Sequence, residues 1–291
     1  MDRPVRLLVN PRAGRGRALA RLPAAEAALR ELGVAYSVAR TESLPHARLL
    51  AREGSAAGAL VLTLGGDGLA GAAAGELRST GSPLGVLRGG RGNDFARKLG
   101  IPDDVAAACR IAVSGAERAV DVADVGGRAF LGIASAGIDS DVQVVADGTR
   151  LPLGGLVYVY GVLRSIARWQ PAAWTVTVDG VRHAFAGYSV AVANSGVFGG
   201  GMRLAPQARL DDGLLDVVLI ADVPRRRYLA TLPRVFRGTH VRRPGVRFLR
   251  GREVAFAADR PFDVYADGDP QAPLPVTIRV QPGVLRVRAP A

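Results

Sequence analysis

"TLGGDGLAG", residues 63–71, follows directly on the apolar run Ala59-Leu60-Val61-Leu62. A short apolar run that breaks into glycines and then into small residues reads as a buried strand, a turn and a helix. Glycines at that junction let backbone N–H groups approach a phosphate. Here Gly65, Gly66 and Gly68 surround one carboxylate, Asp67. An acid facing a phosphate across about 4 Å costs on the order of 4 kcal/mol at an effective dielectric of 20. A typical hydrogen bond returns only about 1 kcal/mol. Two arrangements remove the conflict. Asp67 turns away and caps the following helix, or a divalent cation such as Mg²⁺ stands between carboxylate and phosphate.

The same unit recurs on either side. Val5–Val9 reads as a strand, Asn10 to Gly14 as a loop and Ala18–Leu32 as an amphipathic helix stopped by Gly33. Ala35–Ala39, Ala59–Leu64 and Leu84–Leu87 read as further strands, alternating with helices over His46–Glu53, Ala70–Leu77 and Asn93–Leu99. Strands alternating with helices predict a parallel sheet with helices on both faces. Ligands of such sheets bind beyond the carboxyl ends of the strands. The loops at 10–16, 40–43, 65–69 and 88–94 therefore converge on one crevice. The last is "RGGRGNDFAR", 88–97, a second glycine turn with an acid, Asp94, where a helix starts. Asn93 or Asp94 is also a candidate N-cap. No G-x-x-x-x-G-K-[ST] occurs, and no G-x-G-x-x-G opens a helix after the first strand, which excludes those two nucleotide sites. Arg15-Gly16-Arg17 puts positive charge beside the crevice or into solvent.

After about residue 120 the texture changes to short β-like runs: 128–133, 174–178, 188–194, 215–220, 253–257, 262–266, 277–280 and 284–287. Turn signals such as Asp179-Gly180 and Asp267-Gly268 separate them. One helix interrupts at Leu156–Arg168, with Leu156, Val159, Tyr160, Leu163 and Ile166 on a shared face. The expectation is an α/β domain over 1–121 followed by an all-β sandwich over 122–291, with the last strand free to return to the first domain.

Composition narrows the partners. The chain of 291 residues is 48% hydrophobic and 22% charged, a globular balance. No apolar run reaches a membrane-spanning length of about 18 residues. Met1-Asp2-Arg3-Pro4 enters a strand without an apolar leader. The single cysteine, Cys109, excludes an internal disulfide and reads as a core residue in a reducing, cytoplasmic setting. The net charge of +12 points to an anionic partner. Nearly all of it is arginine, Lys98 being the one lysine, and it is dense over 225–252. That stretch is either a solvated surface or a peripheral contact with an anionic membrane. Aromatic residues are too sparse there for single-stranded nucleic acid, so no nucleic-acid partner is expected.

Taken together, "NPRAG", "TLGGDG" and "RGGRGNDFARKLGIP" resemble, in that order, the bacterial diacylglycerol kinase-like lipid kinases, relatives of the sphingosine kinases. "VANSGVFGGGMRLAPQARLDDGLLDVVLI", 192–220, resembles the family's second-domain signature, and "DGD", 267–269, its Asp-Gly-Glu. The resemblance spans essentially the whole chain. It implies a fold like that of phosphofructokinase and NAD kinase in the first domain, ATP and Mg²⁺ as cofactors, and transfer of the γ-phosphate to a hydroxyl of diacylglycerol or a related lipid. By position it implies nucleotide contacts at Asn10, Thr41, Gly65, Gly66, Asp67, Gly68 and Leu69, and at Gly90, Arg91, Asn93 and Asp94. Asp67 and Asp94 would neutralise phosphate through Mg²⁺. Asp267 or Asp269 would deprotonate the lipid hydroxyl. A structural Mg²⁺ site would use Arg209, Asp212 and Leu214. A homodimer is left open.

The sequence also departs from the family. Leu69 stands where Thr usually follows GGDG, Gly71 and Ala72 replace an Asn-Glu pair, Arg91 replaces a Thr and Asp269 a Glu. These departures keep two other readings in view: a soluble NAD kinase-like enzyme, and a non-catalytic regulator that binds nucleotide or lipid.

Overall fold

The computed structural model describes residues 3–148 and 156–291. The expectation for Met1 and Asp2 lies outside the described residues, as do the side chains of Leu156 and Val159. The first half runs β1 (Val5–Val9), α1 (Arg17–Glu31), β2 (Tyr36–Arg40), α2 (Leu44–Ala56), β3 (Leu60–Gly65), α3 (Asp67–Leu77), β4 (Leu84–Arg88), α4 (Asp94–Lys98) and α5 (Val105–Ser114). The strands pair in parallel in the order β2-β1-β3-β4. β3 is buried along its whole length, as a continuous apolar run at a sheet centre should be. Each Leu or Val buried there contributes about 1.5–3 kcal/mol. α1 turns Ala18, Leu22, Ala25, Ala28 and Leu29 onto the sheet at helical spacing. α2 and α5 start on side-chain caps, Ser43 accepting from His46 N and Asp104 from Ala107 N. Cys109 is buried, and burial pushes its thiol up to about 11.

The second half runs β5 (Ala116–Val125), β6 (Arg128–Phe130), β7 (Ile133–Gly137), α6 (Ile138–Gly148), α7 (Leu156–Arg168), β8 (Ala172–Val178), β9 (Val181–Ala193), β10 (Val197–Phe198), β11 (Met202–Arg203), β12 (Leu215–Ala221), α8 (Arg225–Arg237), β13 (Val246–Gly251), β14 (Glu253–Ala258), β15 (Asp263–Ala266), β16 (Asp269–Pro273) and β17 (Val276–Ala289). Its strands are largely antiparallel and fold into a β-sandwich around Trp174, Val176, Val190, Val192, Val217, Leu219, Phe256 and Ile278. β17 threads both halves. Its first part pairs with β14, its second part meets β4 in parallel at Val287 and Leu84, and β5 runs antiparallel along most of it. Asp121, where the sequence texture changes, sits inside β5.

The structure corrects the expected elements in four places. The second half holds α6 and α8 besides α7. In α8 the apolar positions Tyr228, Leu232 and Val235 share a face that the surrounding arginines mask. The runs at 277–280 and 284–287 are one strand, bent by a bulge between Gln281 and Leu285. The run at 128–133 is broken between β6 and β7. β16, with Pro270 and Pro273, is the end strand of the sheet, where proline is tolerated.

Candidate active site

The four loops meet beyond the carboxyl ends of β1 to β4. Asn10 N donates to Leu64 O at 3.1 Å, and Thr41 N to Val9 O at 2.8 Å. Gly89 N and Gly90 N both donate to Gly65 O at 2.8 Å, locking the two glycine turns together. Contact is so close that a Cβ added to Gly90 would lie 2.5 Å from Gly66 Cα. Asn93, left-handed at φ 53°, closes the second turn on itself. Its Oδ1 accepts from Gly90 N and its Nδ2 donates to Gly90 O, both at 2.8 Å. The outcome is one fixed backbone surface made from two separate sequence motifs.

Asp67 does not cap the helix that follows it. It begins α3, whose N-cap is Gly66, and its Oδ1 accepts from Phe95 N at 3.0 Å. It therefore caps α4, the helix of the other glycine turn, because the locked turns bring that helix start over it. A Cβ added to Gly92 would stand 3.1 Å from Asp67 Oδ2 and 2.8 Å from Asp94 Oδ2, so both carboxylates flank that glycine. Asp94 is only 6% exposed. Its Oδ2 accepts from Gly200 N, at 2.9 Å, in the tight β10–β11 hairpin of the second half. Its Oδ1 is buried and has no hydrogen-bond partner among the described residues. Burial raises the Asp94 carboxyl above the usual range and the Asp67 charge pushes the same way, against the Gly200 N–H.

A third carboxylate arrives from the hairpin β15–β16. Asp267, φ 52°, and Gly268, φ 90°, form its two-residue turn, the left-handed pair such hairpins prefer. Asp267 Oδ2 accepts from Leu131 N and Oδ1 from Gly132 N, both at 2.9 Å. Burial, followed by the charge of Asp67, pushes the Asp267 carboxyl up to about 7, with Asp269 adding to the rise and the two N–H groups opposing it. A Cβ added to Gly71 would stand 3.3 Å from Asp267 Oδ2, and one added to Gly68 2.6 Å from Asp269 Oδ2. Gly71, a departure in the sequence, thus lies against Asp267 at the opening turn of α3. Among the described residues none of Asp67, Asp94 and Asp267 forms an ion pair. A group of acids held this close, partly buried and uncompensated, suits a cation and a proton transfer.

Comparisons with known proteins identify the family. The diacylglycerol kinase catalytic domain matches residues 4–125, and the YegS C-terminal NAD kinase beta sandwich-like domain matches residues 132–289. A diacylglycerol kinase of Mycobacterium tuberculosis is 32% identical over 294 residues, covering 98% of this chain and 95% of that protein. A Pseudomonas aeruginosa protein described as "Probable lipid kinase YegS-like" is 34% identical over 276 residues, covering 92% of this chain and 89% of that protein. The chain belongs to the diacylglycerol kinase-like lipid kinase family. The protein is accordingly a lipid kinase, a transferase of phosphoryl groups. In fold, it is similar to the crystal structure of a diacylglycerol kinase from Bacillus anthracis, with a TM-score of 0.73 at 20% identity over 98% of this chain and 96% of that one.

The other expected residues of the kinase are distributed unevenly. Asn10 and Gly65 to Gly68 line the locked turns. Thr41 is buried, with its hydroxyl on Val9 O at 3.3 Å. Leu69 is buried in a small cluster with Ala47, Ala72 and Leu44. Arg91 is exposed. Asp212 belongs to a separate loop, where its Oδ1 accepts from Leu214 N and its Oδ2 pairs with Arg250. The expected structural Mg²⁺ set of Arg209, Asp212 and Leu214 lies in that loop, with the Asp212 carboxylate engaged by Arg250. Among the described residues no group of three or more acids, histidines and cysteines has the geometry of a metal site.

Several site features went unread in the sequence. Leu131 N and Gly132 N hold Asp267, and Gly200 N holds Asp94. Arg17 and Arg21 ion-pair Asp103 at 2.7 Å beside the second glycine turn. Nearby Arg88 has its guanidinium pKa lowered by burial and then by Arg97. The arginines were visible only as charge. The backbone donors carry no side-chain signature.

Proposed function

We propose that the protein transfers the γ-phosphate of ATP, in a Mg²⁺-dependent reaction, to a hydroxyl of diacylglycerol or a closely related lipid. The observation that carries this reading is the convergence of Asp67, Asp94, Asp267 and Asp269 at the start of α3, with Asp94 Oδ1 buried and unpaired. Asp94 and Asp67, whose Oδ2 atoms flank Gly92, together fit a hard divalent cation that completes its shell with phosphate oxygens. When bound, Mg²⁺ would neutralise charge on the transferring phosphate.

The remaining roles belong to the chain itself. Phosphoryl transfer is chiefly positioning and electrostatics. The locked glycine turns present a fixed backbone against the phosphates. Asp94, tied to Gly200 N, joins the two halves across the crevice. Asp267 accepts the proton of the lipid hydroxyl as that oxygen attacks. A carboxyl poised near 7 is a better base at neutral pH than an ordinary aspartate, and such a base is typically worth 10²–10⁴-fold. Leu131 N and Gly132 N fix its orientation, and Asp269 lies one turn-residue beyond.

Incubation with γ-labelled ATP, Mg²⁺ and diacylglycerol in mixed micelles should yield labelled phosphatidic acid, and incubation with NAD should yield no NADP. Absence of label in any lipid of a broad extract would favour the non-catalytic regulator.

Peripheral contact with an anionic membrane belongs to the same reading. Exposed Arg225, Arg226, Arg227 and Arg237 on α8, with Phe236 at 55% exposure and Leu163 of α7 at 51%, support it. Among the described residues no helix is long and apolar enough to cross a membrane. Cosedimentation with anionic vesicles should weaken as salt rises. Equal binding to neutral vesicles at every salt concentration would remove the electrostatic part.

A further inference from the structure

A cavity of about 440 Å³ opens beside the C-terminal end of α7, within the size range of small-molecule sites. It is separate from the acids of the crevice. Asp267 N donates to Ile133 O at the start of β7, whereas α6 leaves from the far end of that strand. Five strand residues at about 3.3 Å each put roughly 15 Å between them.

Arg164 and Arg168 reach the cavity from successive turns of α7, and Arg260 comes from the turn between β14 and β15. The Arg260 guanidinium carbon lies over two aromatic rings, 4.8 Å from the Trp169 centroid and 5.1 Å from that of Phe262, and the group donates one N–H to Gln170 O. Such a cation–π contact holds the guanidinium in place. Ser165 and Trp169, 7% and 5% exposed, line the same space. Ser165 Oγ and Trp169 Nε1 are both buried and without a partner among the described residues. Buried donors are rarely left unpaired, because each then loses its hydration for nothing. Asp141 is the one acid among the described lining residues, and burial raises its carboxyl above the usual range, opposed by the charge of Arg260. The lining therefore stays net positive.

We propose that this cavity is a second anion site, distinct from the nucleotide crevice, that takes a phosphate group. Three guanidinium groups, a hydroxyl and an indole N–H offer more donors than the two oxygens of a carboxylate can accept, and they suit the three free oxygens of a phosphate ester. The phosphate comes either from a phospholipid headgroup at the bilayer surface or from a soluble phosphate ester.

The test is a titration followed through tryptophan emission, since Trp169 lines the cavity and the other tryptophan, Trp174, is sealed in the core. The probes are inorganic phosphate, glycerol 3-phosphate, and phosphatidylcholine vesicles with and without phosphatidylglycerol. A saturable response to the soluble probes assigns a soluble ester, and a response only to phosphatidylglycerol vesicles assigns a headgroup. In either case Arg168→Ala and Arg260→Ala should weaken the response about tenfold or more. Arg110→Ala, an exposed arginine of α5, should leave it unchanged. Arg168→Ala should also keep phosphoryl transfer to micellar diacylglycerol. Absence of a saturable response to every probe, or an equal response in the Arg168 and Arg260 variants, overturns the site. Failure of wild-type transfer would instead remove the proposed function and leave this titration standing.

Discussion

The crevice and the loop that leads into β12 are both rich in aspartate, and their electrostatics differ in kind. At that loop and the start of β12, three acids each pair with an arginine. Asp211 pairs with Arg209 at 3.1 Å, Asp212 with Arg250, and Asp216 with Arg250 Nε at 3.2 Å. In the crevice Asp67, Asp94 and Asp267 have backbone N–H donors and one another, with no ion pair among the described residues. The difference teaches that aspartate density marks nothing by itself. Where arginine closes the charge, the acids pin a loop. Where it does not, the acids stay open to a cation and a proton, as the proposed function requires.

The largest effect that could break this contrast is expected at Asp267. Asp267→Ala should lower kcat by about 10²–10⁴-fold while leaving Mg²⁺-ATP affinity nearly unchanged, read from kcat and KM on micellar diacylglycerol. A wild-type rate would reduce the stretch to a hairpin turn. Next is Gly132→Ala. The new Cβ would fall 2.3 Å from Asp267 Oδ1, so the carboxylate has to leave its two N–H donors. Loss of about 1–3 kcal/mol in a denaturation midpoint, with a drop in kcat, is expected.

Asp267 also gives the contrast a pH signature. Its folded-state pKa of about 7 lies above the ordinary value of 3.8. Between those values the folded chain binds more protons than the unfolded one, so this group's contribution to stability falls as pH rises from about 4 to 7. Denaturation across that window should show a steeper loss in wild type than in Asp267→Ala. Activity should run the other way, with kcat/KM rising through about pH 7 as the base ionises. A rate that stays flat across pH 6–8 would argue against Asp267 as base.

The smallest effect is expected in the compensated loop. Asp212→Asn removes a partly exposed pair with Arg250, which should cost under about 1 kcal/mol and leave kcat within about twofold. A collapse of kcat there would mean that the loop, too, works on the substrate.

Much of the parallel sheet is legible in the sequence because β1, β3 and β4 are mostly apolar runs and the turns after β3 and β4 are punctuated by glycine. The span of β1 matches its apolar run and that of α7 its helical face, while β4 runs one residue beyond the expected Leu84–Leu87. α8 is not legible in the same way, since its Tyr228, Leu232 and Val235 face is outnumbered by arginines. Leu69, Gly71 and Ala72 read as gaps in a motif. In space Leu69 and Ala72 fill a small core, and Gly71 makes room for Asp267. The role of Asp67 is hidden for a different reason. It caps a helix 28 residues away, and that pairing exists only once the two glycine turns have locked.

The central claim is that the crevice acids are uncompensated because a cation belongs between them. Calorimetric titration of ATP into wild type and Asp94→Asn, each with Mg²⁺ and with a chelator, tests it most directly. Wild type should bind ATP tightly only with Mg²⁺, and Asp94→Asn should lose most of that Mg²⁺-dependent gain while remaining folded. Equal ATP affinity with and without Mg²⁺ in wild type, or an unchanged Mg²⁺ dependence in Asp94→Asn, would contradict the account.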